Sequence, residues 1–356
     1  MRDFHLDNTH FFGANFIPSN AINQLEMWQE DTFSLDLIER ELGYAKSIGM
    51  NIMRVFLHDL LWEQDPVGLI SRMDSYLSVA DALGIKTMFV FFDDCGKGTF
   101  ALGKQPDPVP FSHNSGWIQS PGNAVADDLS QRPRLEKYVK GVMTHFANDR
   151  RIAVWDLYNE PGNGSAGDHI TKTGLRENLS LPLLTDVFKW AGEVAPSQPY
   201  TAGVWNFGDA FHDLNQFMLE HSDIVTFHTY GNAEKAAEIC KIIKEKACSR
   251  PIICTEYMAR HFKSNFADIL PVFKKNNIGA INWVLCLEKH KPYIRGILTK
   301  RKIVSPCLFM IYLKKMEVFW FLMSIRFLIN TLKMGKSHRK SAFCLILYSN
   351  NWGRRG

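Results

Sequence analysis

Residues 152–161 read I-A-V-W-D-L-Y-N-E-P, and residues 251–257 read P-I-I-C-T-E-Y. Each is a short apolar run that closes on an acid, Glu160 in the first and Glu256 in the second. Runs of this length, apolar almost throughout, are the pattern of parallel strands buried on both faces. Six more runs of the same kind bring the strand candidates to eight: Phe11–Phe16, Asn51–Leu57, Ile85–Phe92, Ile152–Tyr158, Tyr200–Val204, Asp223–Phe227, Pro251–Thr255 and Gly279–Trp283. Amphipathic stretches near 34–48, 69–83, 133–147, 180–194, 211–221, 233–247 and 264–276 separate them and read as helices.

Repeated strand–helix units imply a parallel sheet covered by helices. Eight such units in about 250 residues suit an α/β fold of the (β/α)8 TIM-barrel class. The competing doubly wound sheet normally carries a glycine-rich phosphate loop after its first strand. Here the first strand runs into N-F-I-P-S-N at 15–20, which cannot serve that purpose. Gly49, Gly84 and Gly279 lie between a helix and the next strand, where a left-handed cap residue is expected. The longest insertion, 93–132, follows the third strand on the side where barrels build their sites.

Composition adds a boundary. The chain has 356 residues, 46% of them hydrophobic, with nine Trp and 25 Phe, enough for a large core. Its formal charge of +4 hides a break: residues 1–283 hold 26 Lys+Arg against 35 Asp+Glu, and residues 284–356 hold 15 against 2. The seven cysteines, Cys95, Cys240, Cys248, Cys254, Cys286, Cys307 and Cys344, have no metal-ligand spacing and read as reduced or buried thiols. The first ten residues, M-R-D-F-H-L-D-N-T-H, contain no apolar core of a secretory signal.

In a barrel, polar residues at strand C-terminal ends converge on one mouth. Here they are Arg54, His58, Asp59, Asp93, Asp94, Asn159, Glu160, Trp205, His228, Tyr230, Glu256 and Trp283. Two carboxylates, an Asn and several aromatic rings suit sugar chemistry: one acid protonates a leaving oxygen and the other carboxylate attacks the anomeric carbon. Two close carboxylates also repel, which favours a proton on the acid. His58 with Asp59 could be half a metal site, but the first strand has no H-x-H; the pair reads as a site wall or a satisfied ion pair. Asp93 and Asp94, of a kind more often loop-capping than catalytic, are given no role. Trp62, Trp117 and Trp205 read equally well as sugar platforms or as packing.

Taken in order, R-V-F at 54–56, N-E-P at 159–161, H-T-Y at 228–230, the strand ending Glu256 and N-W at 282–283 resemble glycoside hydrolase family 5. A-I-N-Q-L-E-M-W at 21–28, V-F-L-H-D-L-L-W-E-Q-D-P at 55–66, H-N-S-G-W at 113–117 and C-T-E-Y-M-A-R at 254–260 resemble a bacterial cellulase-like or xylanase-like subgroup. The resemblance spans about residues 11–283. It implies a retaining β-glycosidase acting on β-1,4-linked glucan, mannan or xylan, or on their oligosaccharides. Glu160 would be the acid/base and Glu256 the nucleophile. Asn159 would contact the sugar 2-hydroxyl, Arg54 and Tyr230 would orient Glu256, His228 would line the site, and Trp283 would be a sugar platform, with Trp205 a further substrate contact. No cofactor or metal is implied, and a monomer that binds neither nucleic acid nor membrane is expected. The rival readings are a sugar-binding barrel without turnover, and a membrane- or nucleic-acid-associated protein that uses the basic tail.

After Trp283 the pattern stops. V-L-C-L-E-K-H-K-P-Y-I-R-G at 284–296 supplies no eighth helix, and V-F-W-F-L-M-S-I-R-F-L-I-N-T-L at 318–332 is too short and too charged for a membrane span. One added G before the Val284 codon permits G-L-V-S-G-K-T-Q-T-I-Y-P-W, similar to how that family continues. In the same frame Met310-Ile311 force an Asp and Met316-Glu317 force a Gly. Residues 1–283 are therefore expected to be the barrel domain, and 284–356 to be out-of-frame sequence. Resequencing across the Trp283 codon is expected to reveal one lost base, and restoring it is expected to raise soluble yield; an intact frame there refutes the reading.

Overall fold

The computed structural model describes residues 11–109, 114–163, 176–259, 262–283 and 285, with side chains of the 176–194 helix described from Ser180 onward. All eight expected strands are present: β1 (Phe12–Asn15), β2 (Ile52–Phe56), β3 (Lys86–Asp93), β4 (Ile152–Asn159), β5 (Tyr200–Thr201), β6 (Val225–His228), β7 (Ile252–Glu256) and β8 (Gly279–Asn282). They form one sheet in the order β5-β4-β3-β2-β1-β8-β7-β6, and every ladder is parallel. This is the (β/α)8 barrel. Between β5 and β6 the ladder narrows to a bridge at Val204 and Phe227, with Val204 N–H donating to Thr226 O at 3.0 Å and His228 N–H to Val204 O at 2.9 Å.

Among the described residues ten helices surround or cap the sheet: α1 (Gln24–Trp28), α2 (Leu35–Ser47), α3 (Asp59–Gln64), α4 (Pro66–Ala82), α5 (Asn123–Asp127), α6 (Arg132–His145), α7 (Arg176–Val194), α8 (His212–His221), α9 (Ala233–Ala247) and α10 (Phe266–Asn276). The seven longer ones match the amphipathic stretches. Their starts are legible chemically. Asn232 and Asn265 cap α9 and α10 by accepting from the N–H three residues on, and Asp65 does the same for α4 with Pro66 at its first turn. The expected place of an eighth helix, and all of 284–356 except Leu285, lie outside the described residues.

Gly49 (φ +86°) and Gly84 (φ +68°) do take the left-handed conformation after their helices. Gly279 does not fill that role. Asn277 (φ +58°) takes it at the end of α10, because a short polar side chain tolerates the left-handed region, and Gly279 is the first residue of β8.

One layer of the core is Ile52, Met88, Val154, Ile224, Ile253 and Ile281, contributed by β2, β3, β4, β7, β8 and the residue before β6. β1 contributes Gly13 beside it: a Cβ there would sit 1.8 Å from the Ile52 carbonyl oxygen, so only glycine lets β1 and β2 approach this closely. Further along the same strands the interior turns polar, and the site begins.

Outside the barrel mouth, Asp59 ties three elements together. Its carboxylate meets Arg134 of α6 at 2.7 Å, the Ser120 hydroxyl at 3.0 Å and His58 Nδ1 at 3.1 Å. Asp59 is thus satisfied, chiefly by Arg134, whereas His58 Nε2 is buried without a hydrogen-bond partner among the described residues. Burial pushes the Asp59 carboxyl up, but His58 and Arg134 outweigh it and bring it down to about 2. A depressed carboxyl contributes stability above its unfolded value and loses it as pH falls through the folded one. Asp59→Asn is expected to cost about 2 kcal/mol of unfolding free energy near neutrality. Urea titrations should show the deficit shrinking from about pH 4 toward pH 2; a deficit independent of pH contradicts this.

Candidate active site

Arg54 of β2 is 1% exposed, and its guanidinium organises the mouth. Nε donates to Asp156 Oδ2 at 2.9 Å, and Nη2 lies 2.8 Å from the same oxygen. Nη1 donates to Asn15 Oδ1 at 2.9 Å and to Glu256 Oε1 at 3.0 Å, and Nη2 donates to Asn159 Oδ1 at 2.7 Å. The cation also lies 4.8 Å from the centre of the Phe56 ring. Burial pulls the Arg54 guanidinium down, but Asp156 and Glu256 more than reverse it, so the charge is retained. Burial likewise keeps the Asp156 carboxyl above its ordinary range despite Arg54.

Glu256, at the end of β7, therefore receives Arg54 on Oε1, and on Oε2 it receives the Tyr230 hydroxyl at 2.5 Å. Burial and the neighbouring Glu256 push the Tyr230 phenol well up, so it remains a donor. Both oxygens of Glu256 are held, one by a charge and one by a hydroxyl.

Glu160 is held differently. It follows β4 in the left-handed region (φ +44°), where a side chain other than Gly is strained. The turn is fixed from outside: Asp94 accepts from Gly162 N–H at 2.7 Å, from the Ser180 hydroxyl at 2.6 Å and from the Tyr158 hydroxyl at 2.7 Å. Asp94 is thus a loop-holding carboxylate. Glu160 Oε1 lies 2.6 Å from His228 Nδ1, while Oε2 receives Asn163 Nδ2 at 2.6 Å and the Cys95 thiol at 3.0 Å.

Repulsion between the two glutamates had suggested a carboxyl pushed upward. For Glu160 the direction is the reverse. Burial does push it up, but His228, Cys95 and Asn163 outweigh burial and leave it below the ordinary carboxylate range.

One carboxylate oxygen of each glutamate and an imidazole nitrogen of His228 lie within 4.8 Å of one another. This is also the cluster among the described residues best able to hold a cation, yet both Glu256 oxygens are already engaged by Arg54 and Tyr230. Asn159 completes the centre. Its carbonyl accepts from Arg54, one amide hydrogen goes to Asp93 Oδ1 at 2.8 Å, and the other has only a long contact, 3.5 Å to Cys95 Sγ. Burial pushes the Asp93 carboxyl well up, against hydrogen bonds from Asn159, the Cys95 N–H and Trp117 Nε1.

Arg54, Asn159, Glu160, His228, Tyr230 and Glu256 are thus brought together. The aromatic candidates divide. Trp205 is half-buried beside the Glu160 turn, its Nε1 donating to Pro161 O at 3.0 Å. Trp283 is nine-tenths buried, edge-on to Phe56 and Trp117 with ring centres at 5.9 and 5.4 Å. Trp117 is buried with its Nε1 on Asp93, and Trp62 lies against Gly141 of α6, so both are packing residues.

Sequence reasoning missed Asn15, Cys95, Asp156 and Asn163. Asp156 had a signal, since a lone Asp and a lone Arg in two buried strands of one barrel must meet. Cys95 and Asn163 sit in loops, where spacing predicts nothing.

Fold and site together define a (β/α)8 barrel with two unequally held buried glutamates at its C-terminal mouth. No family model matches the chain, and no curated protein matches it in sequence. Solved structures do match in fold. An endo-1,4-beta-D-mannanase from Thermotoga petrophila aligns at TM-score 0.52 and 16% identity, covering 86% of this chain and 99% of its own. The beta-mannanase of the blue mussel Mytilus edulis aligns at 0.56 and 18%, covering 77% and 87%. A GH5_18 protein from Streptomyces cattleya, solved with GlcNAc, aligns at 0.53 and 15%, covering 77% and 70%.

Arg54→Met leaves Asp156 and Glu256 buried without their cation. Breaking a buried pair from one side costs about 3–5 kcal/mol, and urea unfolding is expected to show a loss of that size. Arg54→Lys keeps the charge but cannot reach four acceptors, so it should also be less stable than the parent. Parent-like stability in both variants contradicts the role given to Arg54.

Proposed function

We propose that this protein is a retaining β-glycoside hydrolase that cleaves β-1,4-linked polysaccharides or oligosaccharides by double displacement. The observation that carries the reading is the Glu160–Glu256 pair, with oxygens within 4.8 Å and unlike partners. Retaining enzymes hold their carboxyls about 5–5.5 Å apart and inverting ones about 6.5–9.5 Å; the 4.8 Å is a nearest-oxygen bound that suits direct attack, and product stereochemistry decides between the two.

The roles follow from the partners. Glu256, fixed by Arg54 and Tyr230, attacks the anomeric carbon, forming a C1–O bond as the glycosidic C1–O bond breaks. The leaving oxygen takes its proton from Glu160, which His228 backs through the 2.6 Å contact. In the second step Glu160 removes a proton from water, the water oxygen bonds to C1, and Glu256 is released as carboxylate. The loosely engaged amide hydrogen of Asn159 is available to the sugar 2-hydroxyl, whose hydrogen bonds strengthen toward the transition state. Trp205 and the accessible part of Trp283 offer apolar faces to the ring. The mannanases among the fold neighbours make β-1,4-mannan the first substrate to test, ahead of glucan and xylan.

Azide separates the two glutamates. With a 2,4-dinitrophenyl β-glycoside, Glu160→Ala should form the β-glycosyl azide, because the glycosyl-enzyme still forms and the anion attacks it. Glu256→Ala should form the α-glycosyl azide by a single displacement. On a poor leaving group, Glu160→Ala is expected to lose about 10²- to 10⁴-fold in rate. Inverted products from the parent enzyme, followed by NMR, would sink the retaining mechanism; turnover unaffected by either substitution would sink the hydrolase reading at this site.

A further inference from the structure

Cys95 follows Asp94 just beyond β3, and its backbone N–H donates to Asp93 Oδ1 at 2.8 Å, which fixes the residue in place. Its sulfur is 3.0 Å from Glu160 Oε2, 3.2 Å from Asn163 Nδ2 and 3.5 Å from Asn159 Nδ2. Carboxamide nitrogens can only donate. The sulfur lone pairs therefore face Asn163 and Asn159, and the S–H proton faces Glu160. Burial, with Glu160 and Asp93 nearby, pushes the Cys95 thiol well above its ordinary range, so the proton stays on sulfur.

We infer that Cys95 is a positioning residue for the acid/base: its thiol, with Asn163, occupies Glu160 Oε2 and leaves Oε1, on the His228 side, as the oxygen that carries the transferable proton. The inference rests on the hydrolase reading above. A carboxylate whose two oxygens were equally open could hold its proton on the oxygen turned away from the leaving group. Donors crowded on Oε2 exclude that arrangement. The other ionisable groups facing Glu160 are His228 at 2.6 Å, Glu256 across the pocket, Asp93 and Tyr230.

The test compares Cys95→Ala and Cys95→Ser with the parent, all as full chains, on a 4-nitrophenyl and a 2,4-dinitrophenyl β-glycoside of the same sugar. The activated leaving group departs without proton help, and the poorer one needs it. In Cys95→Ala, kcat/KM on the 4-nitrophenyl substrate is expected to fall about tenfold, with a loss at least fivefold smaller on the dinitrophenyl substrate. Most of the fall should be in kcat. Losing a donor to the carboxylate raises its proton affinity, so the basic limb of the kcat/KM profile should move to higher pH. Cys95→Ser restores a donor and should return both the substrate ratio and the basic limb toward the parent. Equal losses on both substrates, an unmoved basic limb, or a serine variant as impaired as the alanine one would overturn the inference while leaving the hydrolase reading intact. A parent inert on both substrates would overturn that reading and the inference with it. Should Cys95→Ala not fold, the serine variant decides alone: a parent-like ratio and limb support a donor role, and a loss specific to the poor leaving group refutes it.

Discussion

A single buried cation sets the geometry of this barrel's mouth. Desolvating a guanidinium is costly, and it is tolerated only when its donors are matched by well-placed acceptors. Arg54 has them on β1 (Asn15), β4 (Asp156 and Asn159) and β7 (Glu256). Because those strands stand on different sides of the barrel, satisfying the guanidinium fixes their side chains relative to one another. The interior changes from the isoleucine-rich layer to this polar one within two residues along β2, from Ile52 to Arg54. The lower layer supplies the dry, close-packed support, and the upper layer supplies charge held in position.

From Arg54 a hydrogen-bonded chain runs to both glutamates. Nη1 reaches Glu256 directly, while Nη2 reaches the carbonyl of Asn159, whose amide approaches Cys95, whose thiol donates to Glu160. The two carboxylates are thus members of one network with different neighbours at each end. Glu256 is held by a cation and a phenol, with His228 Nδ1 farther off at 3.7 Å from Oε2. Glu160 is held by an imidazole at 2.6 Å, a partner that can both give and take a proton. That asymmetry is what the proposed division into nucleophile and acid/base rests on.

Much of this was legible in the amino-acid sequence, for a definite reason. Residues at strand ends obey the barrel's periodicity, so Glu160, Glu256, Arg54, Asn159 and His228 could be placed by counting strands. Tyr230 followed from its position two residues beyond His228. What counting could not reach lies off the strands. Cys95 and Asn163 enter the site through loops whose paths depend on Asp94 and on the strained turn at Glu160. The tryptophans were ambiguous because stacking on sugar and stacking on protein demand the same ring; Trp62 and Trp117 prove to face protein. The direction of the Glu160 shift is set by His228, Cys95 and Asn163, partners that the repulsion of two carboxylates alone leaves out.

The distribution of these bonds along the chain also separates the site from the part of the barrel whose sequence pattern stops. Every hydrogen bond described for Glu160, Glu256 and Arg54 is made by a residue between Asn15 and Glu256. β8 enters through Asn282, whose carbonyl accepts from Asn15 Nδ2 at 3.1 Å, and through Trp283 packed on Phe56. Asn15 is itself an acceptor of Arg54, so β8 steadies the site one step removed. A loss of cover on the outer face of β8 would therefore act first on its pairing with β1 and with β7, and through Asn15 and the end of β7 on the two glutamates. Site and closure of the barrel thus meet twice: at Asn15, which belongs to the first strand and accepts from the cation of the second, and beside Glu256, where Trp283 N–H donates to Tyr257 O at 3.1 Å.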